Sequence, residues 1–146
     1  MEQKQQNIED RKKKSETAKL LWSKAKPVQE SQLGKKYLTK HRKISESIID
    51  HLEFKFLRKG TQYQSWNVKD QEYEKKEFSN PAIIVPVEND KNEVMAIQRI
   101  FLNPNTGKKA GDKAKFTLGD LKGNAAIIHR GRIGADLLVI AEGTHR

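Results

Sequence analysis

The chain has 146 residues and a formal net charge of +10, with 29 lysine and arginine side chains against 19 acidic ones. This length allows one domain with an appended arm. The absence of cysteine excludes a disulfide framework and a cysteine-ligated zinc site. The four histidines are scattered without metal-ligand spacing, so no metal site is predicted. No apolar run approaches the roughly 18 residues that span a bilayer, and the N-terminus is polar, which predicts a cytoplasmic protein without a membrane partner.

The positive charge is concentrated in the N-terminal part of the chain. Residues 1–60 contain 16 basic and 8 acidic side chains, whereas residues 61–146 contain 13 and 11. Such asymmetry is typical of proteins that bind phosphate backbones. A lysine-rich, solvated surface without a ligand would have the same composition, and charge alone supports only non-specific, salt-sensitive binding.

The first predicted element is a helix over residues 2–26. Ala18, Leu21 and Ala25 recur at helical spacing, and Pro27 ends the pattern. Before residue 17 the apolar periodicity is almost absent, so we predict a frayed or extended basic arm there. Its candidate phosphate-binding residues are Arg11, Lys12, Lys13 and Lys14.

The next segments predict two further helices and two short strands. Apolar residues at helical spacing indicate helices over residues 31–42 and 45–52. Residues 53–57 (EFKFL) alternate as in a strand, and another strand is predicted over 62–68. Tyr63 and Trp66 in the latter either cover a small sheet or serve as stacking platforms for bases.

After Pro81 the sequence predicts a sheet. The apolar runs 82–87 and 93–102 are separated by ENDKN, which predicts a β-hairpin. Residues 108–115 form a basic, glycine-containing loop, and short strands are predicted at 125–129 and 137–141. We expect the hairpin to pack with the strand 125–129 and the helices of residues 21–52 to cover one face. The predicted class is α+β, with N-terminal helices followed by a small, mostly antiparallel sheet.

The order of elements in the C-terminal half resembles a known family. A hairpin with Arg99 on its second strand is followed by a basic loop leading to Lys115, by the strand 125–129, and by LLVIAEG at 137–143. This order is similar to the segment that precedes and enters the Toprim domain of phage and plasmid DNA primases and of primase-like regions in conjugative relaxase/helicase proteins. Residues 21–27 and 36–38 resemble plasmid-type proteins of the same kind, so the resemblance covers about residues 20–143.

The resemblance implies a role in DNA replication or conjugative transfer of mobile elements. Glu142 would be the Toprim glutamate, acting as general acid or base, with Mg²⁺ held by a downstream Asp-x-Asp pair. Arg99 and Lys115 would face nucleotide phosphate or template backbone. Single- or double-stranded DNA would be the partner, and no small-molecule substrate is expected.

The sequence departs from this family because no Asp-x-Asp pair follows Glu142. We therefore expect a truncated gene product that is inactive by itself and binds no metal of its own. Its expected parts are a basic helical arm at 1–26, a primase-like region at 27–136 and the start of a Toprim domain at 137–146. Two alternatives stay open: a stand-alone basic nucleic-acid-binding module, and one half of a split enzyme whose second chain supplies the metal carboxylates.

Overall fold

Helices precede strands in the computed structural model, which describes residues 2–110, 115–120 and 125–126. The α+β class predicted from the sequence is confirmed. The strand predicted at 137–141 and residue Glu142 lie outside the described residues.

Helix α1 is continuous over Glu2–Lys24. The prediction that its first half is frayed is therefore wrong. That half and the residue after it are anchored by polar contacts rather than by an apolar stripe, since the buried Asp10 and Thr17 both hydrogen-bond to residues within 64–71. Thr17 Oγ1 donates a hydrogen bond of 2.9 Å to the backbone carbonyl of Gln64 in a neighbouring strand. Apolar periodicity does not detect contacts of this kind.

Short helical segments follow α1. A 3-10 turn at Val28–Glu30 leads into α2 (Gln32–Lys36), which continues as one π-helical segment, Tyr37–His41. The Ser31 hydroxyl caps α2 by accepting the amide of Gly34 at 3.0 Å. Helix α3 is shorter than predicted and spans Glu46–Ile49.

Eight strands are described. They are β1 (Lys26–Pro27), β2 (Lys55–Leu57), β3 (Gln62–Asn67), β4 (Glu72–Glu77), β5 (Ala82–Glu88), β6 (Val94–Phe101), β7 (Lys115–Gly119) and β8 (Ala125–Ala126). The main sheet has the order β1-β2-β5-β6-β7, and β8 pairs with β5 beyond the end of β2. All described neighbours are antiparallel, and β5–β6 is the predicted hairpin.

Strands β3 and β4 form a separate two-stranded sheet. Strand β3 matches the prediction for residues 62–68. Strand β4 was not predicted, because its sequence, EYEKKE, is charged at nearly every position and lacks apolar alternation.

Strand β5 is covered on both faces, and all seven of its residues are buried. Ile83 and Val85 belong to a cluster with residues of α2, α3 and the π segment, among them Leu38 and Ile49. Ala82 and Ile84 belong to a second cluster with Leu21 and other residues of α1. Because successive strand residues point to opposite faces, α1 and the shorter helices lie on opposite sides of the sheet. The prediction that these helices cover one face is thus wrong.

Candidate nucleic-acid interface

The predicted phosphate-binding residues of α1 are largely occupied by contacts within the protein. Nε and Nη2 of Arg11 donate to Asp120 Oδ2 at 3.0 and 2.8 Å. Lys13 Nζ lies 3.7 Å from the centre of the Trp66 ring. Lys14 is half-buried, and Lys12 is exposed. Two of the four cations are thereby committed to protein groups, and the predicted row of free charges is not formed.

Trp66 and Asp10 join α1 to the β3–β4 sheet. Trp66 is only 9% exposed, and its Nε1 donates a 2.8 Å hydrogen bond to Asp10 Oδ1. Gln71 Nε2 donates to the same oxygen at 3.1 Å. The pKa of Asp10 is lowered, chiefly by the hydrogen bond from Trp66 and then by that from Gln71. The nearby charges of Lys14 and Lys13 lower it further. Trp66 therefore covers a small sheet, and the alternative that it serves as an open stacking platform is not supported.

The guanidinium group of Arg99 is surrounded by three aromatic rings. Its Nη1 donates to the Tyr63 hydroxyl at 3.1 Å. Its guanidinium carbon lies 5.4 Å from the Phe101 ring centre, 5.8 Å from that of Phe78 and 6.0 Å from that of Tyr63. Cations at such distances are attracted by aromatic rings. The described contacts of Arg99 thus connect Tyr63 of β3 and Phe78, which follows β4, to β6.

The structure describes the backbone position of Lys115 but not its side chain. Strand register pairs Lys115 with Ile100, and Arg99 with Phe116. Arg99 and Lys115 therefore occupy successive rather than paired positions of the ladder. Successive ladder positions belong to opposite faces of a sheet, so the expectation that Arg99 and Lys115 lie on one side and contact the same phosphate is wrong. Glu142 is outside the described residues, and its role stays a prediction.

A different basic surface forms where the helical segments meet the loop after β6. We call it the α2–loop surface. Six exposed lysines define it: Lys35, Lys36, Lys40, Lys43, Lys108 and Lys109. His41 Nε2 lies 3.3 Å from the backbone carbonyl of Thr106, which joins the two segments. A β-carbon at Gly107, where φ is +76°, would lie 3.1 Å from Lys36 Cδ, so the Lys36 side chain packs directly against the loop.

The loop is held in one shape by Asn103. Its Oδ1 accepts the amides of Asn105 and Thr106 at 2.8 and 3.2 Å. Its backbone amide donates to the carbonyl of Lys108 at 2.7 Å, and its carbonyl accepts the amide of Gly107 at 2.8 Å. An asparagine side chain that bonds backbone amides two and three residues onward is typical of a tight turn. The backbone of Lys108 is therefore positioned rather than free.

The α2–loop surface is unbalanced in charge. Residues 31–45 and 103–110 contain no aspartate or glutamate. Among the described residues the ion pairs are Arg11–Asp120 and Lys19–Glu93, and neither involves this surface. A cluster of one sign of charge that forms no ion pair among the described residues attracts anions over several ångströms and raises the rate of encounter with them.

Two other classes of site find no support in the part of the chain that is described. No group of three or more histidine, aspartate or glutamate side chains there could hold a metal ion. No described helix is both long enough and apolar enough to cross a membrane. The Mg²⁺ that the Toprim resemblance implies therefore has no ligand set among the described residues.

The fold and the surface together define a basic α+β domain whose helices lie on both faces of an antiparallel sheet. Residues 12–128 match the family described as Domain of unknown function (DUF7146). The match covers more than half of the chain, and the protein belongs to that family. No curated protein and no solved structure matches the chain.

Sequence reasoning selected four residues of α1 for phosphate binding, which differ from those of the α2–loop surface, and that role stays a prediction. It selected Arg11, Lys12, Lys13 and Lys14 because they are consecutive, and it did not compare them with the distribution of acids. The usable signal was the acid-free segment 31–45, which holds five lysine and arginine residues. Its proximity to Lys108 and Lys109 depends on the fold and could not be read from spacing.

Proposed function

We propose that this domain binds the phosphate backbone of nucleic acid through the α2–loop surface, as part of a cytoplasmic Toprim-type primase or conjugative-transfer protein. The observation that carries the proposal is the grouping of six exposed lysines from two acid-free segments. Fixed contacts at His41 and Gly107 hold these segments together. Lysine ammonium groups act as point charges toward phosphate and confer little sequence preference.

The parent class in this proposal comes from the sequence resemblance. It rests on the order of the β5–β6 hairpin, the basic loop, residues 125–129 and the LLVIAEG segment. In that class Glu142 would take part in phosphoryl transfer with Mg²⁺ bound by other carboxylates. The nucleic-acid surface is independent of this chemistry, because none of its lysines needs a metal to bind a phosphate. The alternative of a stand-alone nucleic-acid-binding module uses the same lysine surface but does not assume a primase or conjugative-transfer parent protein.

The proposal predicts a characteristic salt dependence. Binding that displaces counterions weakens linearly on a logarithmic salt scale, with a slope of about −0.7 per phosphate contact for single strands and about −0.9 for duplexes. Removing three contacts should therefore reduce the slope for a single strand by about 2.

The test compares two triple variants with equal loss of charge. Lys36, Lys40 and Lys108 are changed to glutamine in one, and the exposed lysines Lys12, Lys75 and Lys91 in the other. Fluorescence anisotropy with single-stranded and duplex DNA between about 50 and 200 mM salt gives the affinity and the slope. We expect a large loss of affinity and slope only in the α2–loop variant. Equal losses in both variants, or no binding by the wild-type protein at low salt, would overturn the proposal.

A further inference from the structure

A groove of about 730 Å³ opens beside the α2–loop surface. It lies between the C-terminal end of α1, strands β1 and β2, and the turn that leads into β3. Its cationic residues are Lys24, Lys26 and Arg58, and the one acid among its lining residues is Glu30. Its volume falls within the range of roughly 300–1,000 Å³ that is usual for small-ligand sites.

The groove combines charge with an apolar wall. Phe56 and the buried Leu57 of β2 line it together with Pro27, and Phe56 packs in part against the core on the α2 side while remaining partly exposed. Gln62 adds a neutral hydrogen-bonding side chain, whereas the hydroxyls of Ser31 and Thr61 are already bonded to the Gly34 amide and the Arg58 carbonyl. A ligand that fits needs an anionic part for the cations, a flat apolar part for the wall, and polar edges. A nucleotide unit has all three, with a phosphate, a base face and base edges.

The groove is adjacent in the fold to the proposed phosphate-binding surface. Ser31 lines the groove and caps α2, and the amide of Lys35 donates to the Ser31 carbonyl at 3.0 Å. Lys35 thus lies one helical turn from the groove wall, and Lys36 follows it toward the Gly107 loop. A backbone bound along α2 would pass from the lysines into the groove.

We infer that this groove binds an unpaired nucleotide of a single strand, contacting both its phosphate and its base. The inference rests on the proposed function and adds that the bound nucleic acid is single-stranded. In a duplex the base faces are stacked against their neighbours and cannot reach Phe56. Only an unpaired nucleotide can place a base in the groove while its backbone remains on the lysines.

The experiment separates the base contact from the phosphate contact. The full chain is titrated with a short oligothymidylate and with an abasic oligonucleotide of the same length, which has the same phosphates without bases. Base–aromatic stacking predicts that the wild-type protein binds oligothymidylate roughly five-fold or more tightly than the abasic strand. Phe56→Leu should remove most of this preference and leave abasic binding unchanged.

A second variant keeps the test independent of core packing. Arg58→Gln changes an exposed residue, and we expect it to weaken binding of both oligonucleotides by lowering phosphate affinity. Lys91→Gln, an equal charge change on the distant β5–β6 turn, serves as its control. Thermal unfolding of each variant establishes that the fold is retained.

The outcomes distinguish the groove from the surface. The inference is supported if Phe56→Leu abolishes the preference for oligothymidylate and if Arg58→Gln lowers the affinity for both oligonucleotides more than Lys91→Gln does. Equal binding of both oligonucleotides by the wild-type protein, or equal effects of Arg58→Gln and Lys91→Gln, overturns the inference that the groove binds a nucleotide. Neither result contradicts phosphate binding by the α2–loop surface. Failure of both oligonucleotides to bind overturns the proposed function itself.

Discussion

The basic segment of α1 and the α2–loop surface are both rich in lysine and arginine, but their side chains differ in the contacts that they make within the protein. In α1, Arg11 is paired with Asp120, and Lys13 lies over the Trp66 ring. In the α2–loop surface the lysines are exposed and lie in segments without acids. The same residue types thus hold a helix in place in one region, whereas in the other they form an exposed surface without an ion pair among the described residues. A cation is available to a ligand only when the fold gives it no partner.

The first way to test this comparison is to remove the tryptophan that anchors α1. Trp66→Ala deletes a buried ring together with its hydrogen bond to Asp10 and its contact with Lys13. We expect a loss of about 3–5 kcal/mol in the free energy of unfolding, measured by urea denaturation.

Tyr73→Ala is the matched control for that loss. Tyr73 is the cross-strand partner of Trp66, with ring centres 5.0 Å apart, but is 46% exposed. The edge contact alone is worth about 0.5–1.5 kcal/mol. Equal losses in the two variants would contradict a structural role for the α1 segment.

The second prediction concerns Arg99, which the family resemblance assigned to phosphate. Arg99→Leu removes its hydrogen bond to Tyr63 and its contacts with three rings. We expect a loss of about 1–3 kcal/mol in the free energy of unfolding, since hydrogen bonds to charged groups contribute about 1.5–3 kcal/mol and partly exposed cation–π contacts less.

Nucleic-acid affinity decides between the two roles of Arg99. If its contacts are structural, Arg99→Leu should change DNA affinity no more than Lys91→Gln does. A marked loss of affinity at unchanged stability would instead make Arg99 a phosphate ligand, as the resemblance implies.

The smallest of the three effects is expected from pH. The pKa of Asp10 is lowered below its ordinary value of 3.8, chiefly because Trp66 and Gln71 donate hydrogen bonds to its charged form. A lowered pKa in the folded state stabilises the protein above the unfolded pKa, and this contribution is lost progressively as pH falls from the unfolded pKa through the lower folded pKa. Urea midpoints between about pH 2 and 7 should therefore fall more steeply below about pH 4 in the wild-type protein than in Asp10→Asn. Asp90→Asn, an exposed carboxylate in the β5–β6 turn, should behave like the wild type.

The sequence was sufficient for elements whose apolar pattern is local. The β5–β6 hairpin, strand β3 and the helix ended by Pro27 follow from runs and periods that depend on neighbouring residues alone. It was insufficient where the determinant is distant in sequence. The first half of α1 is fixed by Trp66 and Gln64, more than 40 positions away. Strand β4 pairs with its sequence neighbour β3, but its charged sequence has no apolar alternation that would reveal it.

The candidate site was harder to predict than the fold for the same reason. The charge of residues 1–60 was visible, but the partners that occupy Arg11 and Lys13 lie at Asp120 and Trp66. The contact between His41 and Thr106 that forms the α2–loop surface spans 65 residues. Composition therefore shows the excess of positive charge, and the fold determines which of these charges are exposed to solvent.

Lysine footprinting tests the central claim most directly. The protein is acetylated with and without bound single-stranded DNA, and the modification of each lysine is measured by mass spectrometry. The account predicts protection of Lys36, Lys40 and Lys108, with Lys12 and Lys91 modified equally in both states. Protection of Lys12 and its neighbours in α1, with the α2–loop lysines unchanged, would contradict it.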